Sequence, residues 1–479
     1  MAFDTRIFRD TSTGLVVDLS AAPTASVDLG PALEGMAALE AGAKANPDED
    51  RQVGHYWLRA PERAPDGGEA IRAVLMQVAA LAVGPARDVL LIGVGGSALG
   101  PELAIDVLAA SPQRFHLLDS VDPDGIQRTL RGVDPAQTTV VVASKSGRTV
   151  ETRVALRAAE AHWAGSGRAF ADDAIAITTV DSELAQLAEH WRAMVPIWDW
   201  VGGRTSITSA VGLLPMALLG IDTDAFLGGA AAMDAWTRGP APNPAALLAG
   251  SWHAAGERSW VILPYADRLR HLGRYLQQLV MESLGKSHSR SGAVLHHGRA
   301  VYGNKGSADQ HSLVQQLRDG PDDVFVHFID VAAWPEGSPL LRDAADTQLS
   351  LLHGTRCALE SVGRPTAGIT LPDLGPASLG ALIALFERAV GLYAEIQDLN
   401  AYHQPGVEAG KRTARGLLGD LERVCSALTG RPQTAADLAA ALELHPATTW
   451  RLCTHLATSR RAHRDTGSSP SKDCFSKID

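Results

Sequence analysis

The stretch Asp88–Gly100, DVLLIGVGGSALG, constrains this chain more than any other. Its apolar run, Val89 to Val94, reads as a buried strand that empties into a glycine turn and then a helix starting near Ser97. Glycines let backbone amides turn toward a ligand, and the first turn of a helix carries N–H groups with no partner inside the helix. Ser97 adds a hydroxyl at the same place. The stretch is therefore a seat for a phosphate or carboxylate.

What carries that anion is open at this point. Gly93-Val94-Gly95-Gly96-Ser97-Ala98 fits the looser dinucleotide fingerprint, and Asp119 closes the next strand, FHLLD, at the spacing of an acidic ribose partner. A dinucleotide-dependent oxidoreductase is one reading. A tight strand-to-helix turn with no ligand is another.

With 479 residues, the chain can bury the cores of two or three domains. Its formal net charge of −11 offers no general attraction to nucleic acid or an anionic membrane, so cations that bind an anion must be gathered locally. The four cysteines, Cys357, Cys425, Cys453 and Cys474, lack CxxC pairing and suggest neither a disulfide framework nor a zinc site. His288, His296 and His297 read as solvated loop histidines, not a metal site, because they lack carboxylate–His spacing on one helix face. The start, MAFDTRIFRD, has no apolar signal core, and no segment approaches the roughly 20 continuous apolar residues of a membrane span, so a cytoplasmic location is expected.

Residues 1–70 are expected to hold one helix, Leu33 to Ala45, and a polar connector, Ala60 to Gly68. Apolar runs at Val89–Val94, Phe115–Leu118, Thr139–Ala143 and Ala174–Thr178 then alternate with helical patterns, the signature of right-handed βαβ units on a parallel sheet covered on both faces. A Pro- and Gly-containing stretch, Thr237 to Pro244, marks a boundary. Beyond it the alternation restarts with strands at Trp260–Leu263, Ala300–Tyr302, Val324–Ile329 and Gly368–Leu371, and helices at Asp267–Leu284, Ala344–Leu359 and Ala377–Asn400. The fold class is thus α/β, with two doubly wound parallel-sheet domains at 71–240 and 241–430. Residues 431–479 are expected to form a small helical module, opened by a capping box at Thr434 and Asp437, and a loose polar tail from Ser459. A helix-turn-helix DNA reader is set aside there because no basic face is evident.

The third strand ends in a second anion loop, Ser144-Lys145-Ser146-Gly147-Arg148-Thr149, with Glu151 just beyond. Its density of hydroxyls exceeds what helix capping alone needs, and two such loops at one sheet edge favour a phosphorylated small molecule. Gly202-Gly203-Arg204 aims a fixed cation from an otherwise uncharged stretch. In the second half, Gln278 and Glu282 lie near the end of one helix, and the apolar neighbours of Glu282 are expected to raise its pKa toward that of a useful base. Gly306-Ser307-Ala308-Asp309-Gln310-His311 brings a histidine to a helix start, and Gln404-Pro405-Gly406-Val407-Glu408-Ala409-Gly410-Lys411 places a lysine directly after a glycine. Taken singly, each of these last residues is read more plainly as structural or solvent-facing.

Six stretches together, GGSALGP, SKSGRTVET, GGRTS, QQLVMESLGK, GSADQH and QPGVEAGK, resemble the phosphoglucose isomerase family in its own order, across Val89 to Lys411. The short length and appended tail resemble its bacterial, cyanobacterial-like form. The resemblance implies two sugar-isomerase (SIS-type) αβα sandwich domains and a reversible interconversion of glucose 6-phosphate and fructose 6-phosphate with no metal or organic cofactor. Carried over by position, Ser97, Ser144, Lys145, Ser146 and Thr149 would hold the phosphate, and Gln278 and Gln404 would bind sugar hydroxyls or phosphate. Glu282 would move a proton through a cis-enediol, Arg204 with the Gly203 amide would stabilise the developing charge, and His311 and Lys411 would open the ring. Glu151 would orient His311, and the His loop would reach a neighbouring subunit's site, which implies a homodimer with shared active sites.

The chain departs from the family at Ser146 and Gly147, where Thr and a bulkier residue are frequent, and at Thr205, where an aromatic is frequent. A non-catalytic phosphosugar-binding regulator of the same fold would keep the hydroxyl loops but would not need the acid–base set. The oxidoreductase reading leaves SKSGRT without a task.

Overall fold

In a computed structural model, residues 6–478 are described except 25, 85–86, 112–113, 240–241, 335–336 and 338, together with the side chains of 408, 409, 411, 412 and 415. The chain falls into two compact units, Met1–His403 and Gln404–Asp479.

The larger unit holds two sheets. In the first, the order is Phe115–Leu118, Asp88–Ile92, Thr138–Ala143, Ala174–Thr178 and Ala193–Pro196, with every neighbouring pair parallel. Four of these are the expected strands. Ala193–Pro196 is an added edge strand that its short, Pro-ended sequence did not suggest. Thr138–Ala143 and Ala174–Thr178 are buried along their whole length, as strands covered on both faces require. The chain enters at the second position and then winds outward on the other side. Winding reverses between Asp88–Ile92 and Thr138–Ala143, and the crevice at their carboxyl ends is where such sheets take ligands.

The second sheet runs Thr366–Leu371, Val324–Val331, Ser259–Pro264 and Val301–Tyr302, again parallel throughout. Its far edge corrects the expectation for residues 1–70. The strands Ile7–Arg9 and Val16–Asp18 form a hairpin, and the second pairs antiparallel with Thr366–Leu371. Three-residue strands show no period of their own, and pairing to a preformed edge decides them. The expected N-terminal helix spans Gly30–Glu40. Lys286–His288 pairs antiparallel with Val294–His297, which puts His288, His296 and His297 on a ribbon instead of a loop.

The apolar core is continuous between the sheets: Val89 and Leu91 of the first belong to the same buried cluster as Ile262, Phe325 and Ile369 of the second. The expected break near 240 falls at the undescribed residues 240–241. Through this core runs Pro376–Ile396, a helix long and apolar enough to cross a membrane but almost wholly buried inside the protein. Its middle carries Glu387 and Arg388, both buried and both paired: Arg388 meets Asp234 at 3.1 Å and also holds Glu40, while Arg59 meets Asp234 at 2.6 Å and Glu387 at 2.8 Å.

The smaller unit opens with the helix Pro405–Ala427, so the division falls after His403 and not at 430. The capping box forms as expected, with Thr434 and Asp437 exchanging hydrogen bonds at the start of Ala435–Leu442. The tail corrects the expectation of loose chain. Ala462–Asp465 and Cys474–Lys477 build a three-stranded antiparallel sheet with Gln433–Thr434. Phe475 is fully buried, and Asp473 accepts from Trp450 at 2.9 Å and Arg464 at 2.7 Å. Two apolar anchors, Ala462 and Phe475, inside a polar composition suffice to order it.

Candidate active site

Strand Asp88–Ile92 passes through Gly93 and Val94 into one 3-10 turn, Gly95–Ser97, and the helix proper begins at Leu99. A Cβ on Gly96 would lie 2.1 Å from the Gly203 carbonyl oxygen, so this position admits only glycine. Ser206 Oγ donates to Gly96 O at 3.1 Å and Gly203 O at 2.8 Å and ties the two turns together. Thr205, where the family often carries an aromatic, closes its own turn by donating to Gly202 O at 3.3 Å.

The second loop starts beside the first, because Ile92 and Val142 are register partners on adjacent parallel strands. Ser144 is buried and accepts from the Gly147 amide at 3.1 Å, and Ser146 accepts from the Arg148 amide at 3.2 Å. Gly147 has φ +71°, and a Cβ there would meet the Leu184 backbone at 2.5 Å, which explains the absence of a bulkier residue. Thr149 sits at the N-cap of Val150–Gly165 without using its side chain as a cap, and the first-turn amides there have no partner inside the helix. Lys145 is held at the edge of this loop. Its ammonium donates to Asp199 O at 2.6 Å and Val201 O at 3.2 Å, and burial holds its pKa below the usual lysine value.

The second sheet contributes the helix Leu272–Leu284. Gln278 and Glu282, four residues apart, share a face, with Gln278 Nε2 3.4 Å from Glu282 Oε1. Arg204 Nη1 donates to Glu282 Oε2 at 2.8 Å, while its Nη2 donates to Ala401 O at 2.7 Å and His403 O at 3.1 Å. The guanidinium is 5% exposed and the carboxylate 26%. Burial works against the charge on Arg204, and Glu282 is the foremost group that supports it. The apolar neighbours of Glu282 in sequence take different places. Leu279 and Val280 are buried in the core and Met281 is exposed, because helical neighbours in sequence point in different directions.

An open cleft of about 380 Å³ is lined by Val94, Gly95, Leu99, Asp119, Arg274, Gln277, Gln278 and Glu282, and so brings the glycine turn of the first sheet to the carboxylate helix of the second. Asp119 does not stand free for a ribose: Arg274 holds it at 3.1 Å and Glu102 at 3.2 Å.

His311 is exposed just past the short helix Gly306–Asp309, and among the described residues no hydrogen bond or ion pair joins it to Glu151 or Glu282. Glu151 is half-buried in the first turn of Val150–Gly165. Gln404 caps the helix Pro405–Ala427 in the smaller unit, and Lys411 lies within that helix with its side chain outside the described residues. Among the described residues, no group of three or more His, Cys, Asp or Glu side chains could hold a metal ion.

Sequence reasoning missed several residues. Lys286 Nζ donates to the Glu282 and His403 carbonyls and has its pKa lowered to about 7 by burial and by Arg204. A lysine directly after Gly285, at a helix C-terminus, was the available signal. The segment Asn46–Arg51 also reaches this region: Arg51 donates to Asp199 O at 2.5 Å and Tyr402 O at 3.1 Å, and Asp48 accepts from Asn400 at 2.5 Å. Nothing local in NPDEDR distinguishes it from a solvated charge run.

Comparison with known proteins agrees with this architecture. The chain is 46% identical to a glucose-6-phosphate isomerase of Geobacter sulfurreducens over 480 residues, 92% of this chain and 91% of that protein. It is 52% identical to a glucose-6-phosphate isomerase of a Synechococcus strain over 415 residues, 80% of this chain and 78% of that protein. The crystal structure of a glucose-6-phosphate isomerase from Chlamydia trachomatis superimposes with a TM-score of 0.76 at 26% identity, covering 85% of this chain and 89% of that one. The pattern described as phosphoglucose isomerase matches residues 32–341 and 355–428, a span that takes in both parallel sheets, both anion loops, the Arg204–Glu282 contact and the helix carrying Lys411. By that match, and by the extent of the likeness to its relatives, this chain belongs to the phosphoglucose isomerase family.

Proposed function

We propose that this chain interconverts glucose 6-phosphate and fructose 6-phosphate through ring opening and a cis-enediol. The observation that carries the reading is the 2.8 Å contact between Arg204 and Glu282 at the edge of a cleft that also touches the glycine turn. Proton abstraction beside a carbonyl needs a carboxylate base and, facing it, a fixed positive charge for the oxygens that become anionic. In this reading Glu282 carries the proton between the second and first sugar carbons, and Arg204, with the Gly203 amide, stabilises the enediolate. Ser97, Ser144, Ser146 and Thr149, with the amides of their turns, grip the phosphate, and Lys145 braces that loop against Asp199 and Val201. Gln278 and Gln404 bind sugar hydroxyls or phosphate. A grip remote from the reacting carbons lends binding energy to orientation.

His311 and Lys411 open the ring by acid–base transfer in this proposal, with Glu151 orienting the histidine. The exposure of His311 supports its serving a second subunit, so the working form in this reading is a homodimer with shared sites, and its compartment in the same proposal is the cytoplasm. Formation of glucose 6-phosphate from fructose 6-phosphate by the purified chain tests the activity; binding without turnover would point to a phosphosugar-binding regulator instead. Mixing inactive Glu282→Gln and His311→Ala chains, with dissociation and reassembly, tests the sharing. A shared site restores about a quarter of wild-type activity through heterodimers, because a two-fold dimer then holds one intact site of two. No recovery from a sample shown to contain heterodimers would contradict shared sites.

A further inference from the structure

The helix that carries Glu282 ends at Gly285, and Lys286 folds its side chain back over that end. Lys286 is 5% exposed. Its Nζ donates to the backbone oxygen of Glu282, one turn back, and to His403 O at 3.1 Å. The same His403 oxygen accepts from Arg204 Nη2 at 3.1 Å, and Arg204 Nη1 holds the Glu282 carboxylate at 2.8 Å. These contacts close a ring that runs from the Glu282 carboxylate through Arg204, the His403 carbonyl and Lys286 to the Glu282 carbonyl. A carbonyl has two lone pairs, and here two cations share them.

One glutamate is thus held at both ends, its carboxylate by Arg204 and its backbone by Lys286, with both cations anchored on one atom. A lysine that bonds the last carbonyls of a helix ordinarily does so at the surface, with its ammonium in water. Burying an ammonium against neutral carbonyls instead costs it much of its hydration. That cost buys fixity where a small misplacement is expensive in rate.

We propose that Lys286 is a positioning residue for the isomerisation assigned above, acting through Glu282 and Arg204 to hold the base in register with the carbon it deprotonates. The proposal rests on the isomerase reading. The charged and titratable groups facing Lys286 are Arg204, Glu282, Asp48 and His403. Burial and Arg204 lower its pKa to about 7, against the pull of Glu282 and Asp48. Below neutrality the ring therefore holds two cations, and above it one.

The test is steady-state kinetics of wild type, Lys286→Met and Lys286→Arg from pH 5.5 to 9 with fructose 6-phosphate. Lys286→Met loses tenfold or more in kcat while KM moves less than threefold, because the hydroxyl loops on the other sheet are untouched. Lys286→Arg recovers most of that turnover and lacks the titration near pH 7 in kcat/KM that wild type shows. A folded Lys286→Met with kcat within twofold of wild type and a superimposable pH profile overturns the proposal. If circular dichroism shows that Lys286→Met does not fold, the Lys286→Arg profile decides, and a limb near pH 7 unchanged from wild type overturns it. Wild type without turnover sinks the isomerase reading and this proposal together; active wild type with an indifferent Lys286→Met sinks this proposal alone.

Discussion

Arg204 meets Glu282 at 2.8 Å, and Arg59 meets Asp234 at 2.6 Å and Glu387 at 2.8 Å. The bonds are alike and the surroundings are not. Glu282 keeps 26% of its side-chain surface and borders a cleft, whereas Arg59, Asp234 and Glu387 have none exposed. In the sealed set two of the acids are shared, Asp234 by Arg59 and Arg388 and Glu40 by Arg388 and Arg238, so that the N-terminal segment and the helices Thr223–Arg238 and Pro376–Ile396 are locked together. In the open set, among the described residues, Arg204 meets the Glu282 carboxylate through Nη1 and turns Nη2 to the backbone oxygens of Ala401 and His403. The same chemistry thus divides into two tasks. Sealed charges that satisfy one another specify the packing, and a charge pair that keeps a wet face is free to act on a ligand.

That division can be broken by substitutions on either side. Arg388→Met takes one of two cations from each of Glu40 and Asp234 in the core and is expected to cost about 3–5 kcal/mol in chemical denaturation, with turnover per folded molecule within twofold of wild type. A stable but inactive Arg388→Met would erase the distinction. Arg204→Ala is expected to behave in the opposite sense. Turnover falls at least about a hundredfold, the loss of one well-placed donor to a developing oxyanion being worth about 2.7–4 kcal/mol, while the unfolding midpoint shifts little. Near wild-type activity in that variant would refute the role given to Arg204.

The smallest effect concerns pH. Burial raises the Glu387 pKa from 4.5 to about 7 in the fold. A carboxyl raised in the native state contributes stability that is whole below pH 4.5 and is lost as pH climbs through about 7, because the native state holds the proton longer than the unfolded chain. Glu387→Gln should flatten the decline in unfolding free energy across that window and leave the pH dependence of kcat unchanged. A decline equal to that of wild type would show that Glu387 is not its source.

The two regions also differ in how far the sequence betrays them. The first sheet was legible because Val89–Ile92 and Val140–Val142 are unbroken apolar runs, each followed by a loop whose glycines and hydroxyls have few other uses. Arg204 and Glu282 were both singled out, yet nothing in the spacing between them says that they touch. Of the apolar neighbours of Glu282 in sequence, Leu279 and Val280 are buried in the core and Met281 is exposed. In the sealed set, Glu387-Arg388 interrupts an apolar helix and was a visible anomaly, but its partners Arg59, Asp234 and Glu40 are scattered through distant segments. The strands Ile7–Arg9, Val16–Asp18, Ala462–Asp465 and Cys474–Lys477 are too short to carry a period, and only their partners make them strands.

The central claim is that the Glu282 carboxylate moves one proton between adjacent carbons of a phosphosugar held beside it. It is tested most directly by following fructose 6-phosphate in deuterated water by NMR with wild type and Glu282→Gln. The account predicts deuterium at the second carbon of the glucose 6-phosphate formed by wild type. In Glu282→Gln that incorporation slows by about 10²–10⁴-fold, the usual worth of a positioned base, while the affinity for the sugar phosphate changes less than tenfold. Incorporation by Glu282→Gln at a rate within tenfold of wild type would contradict it.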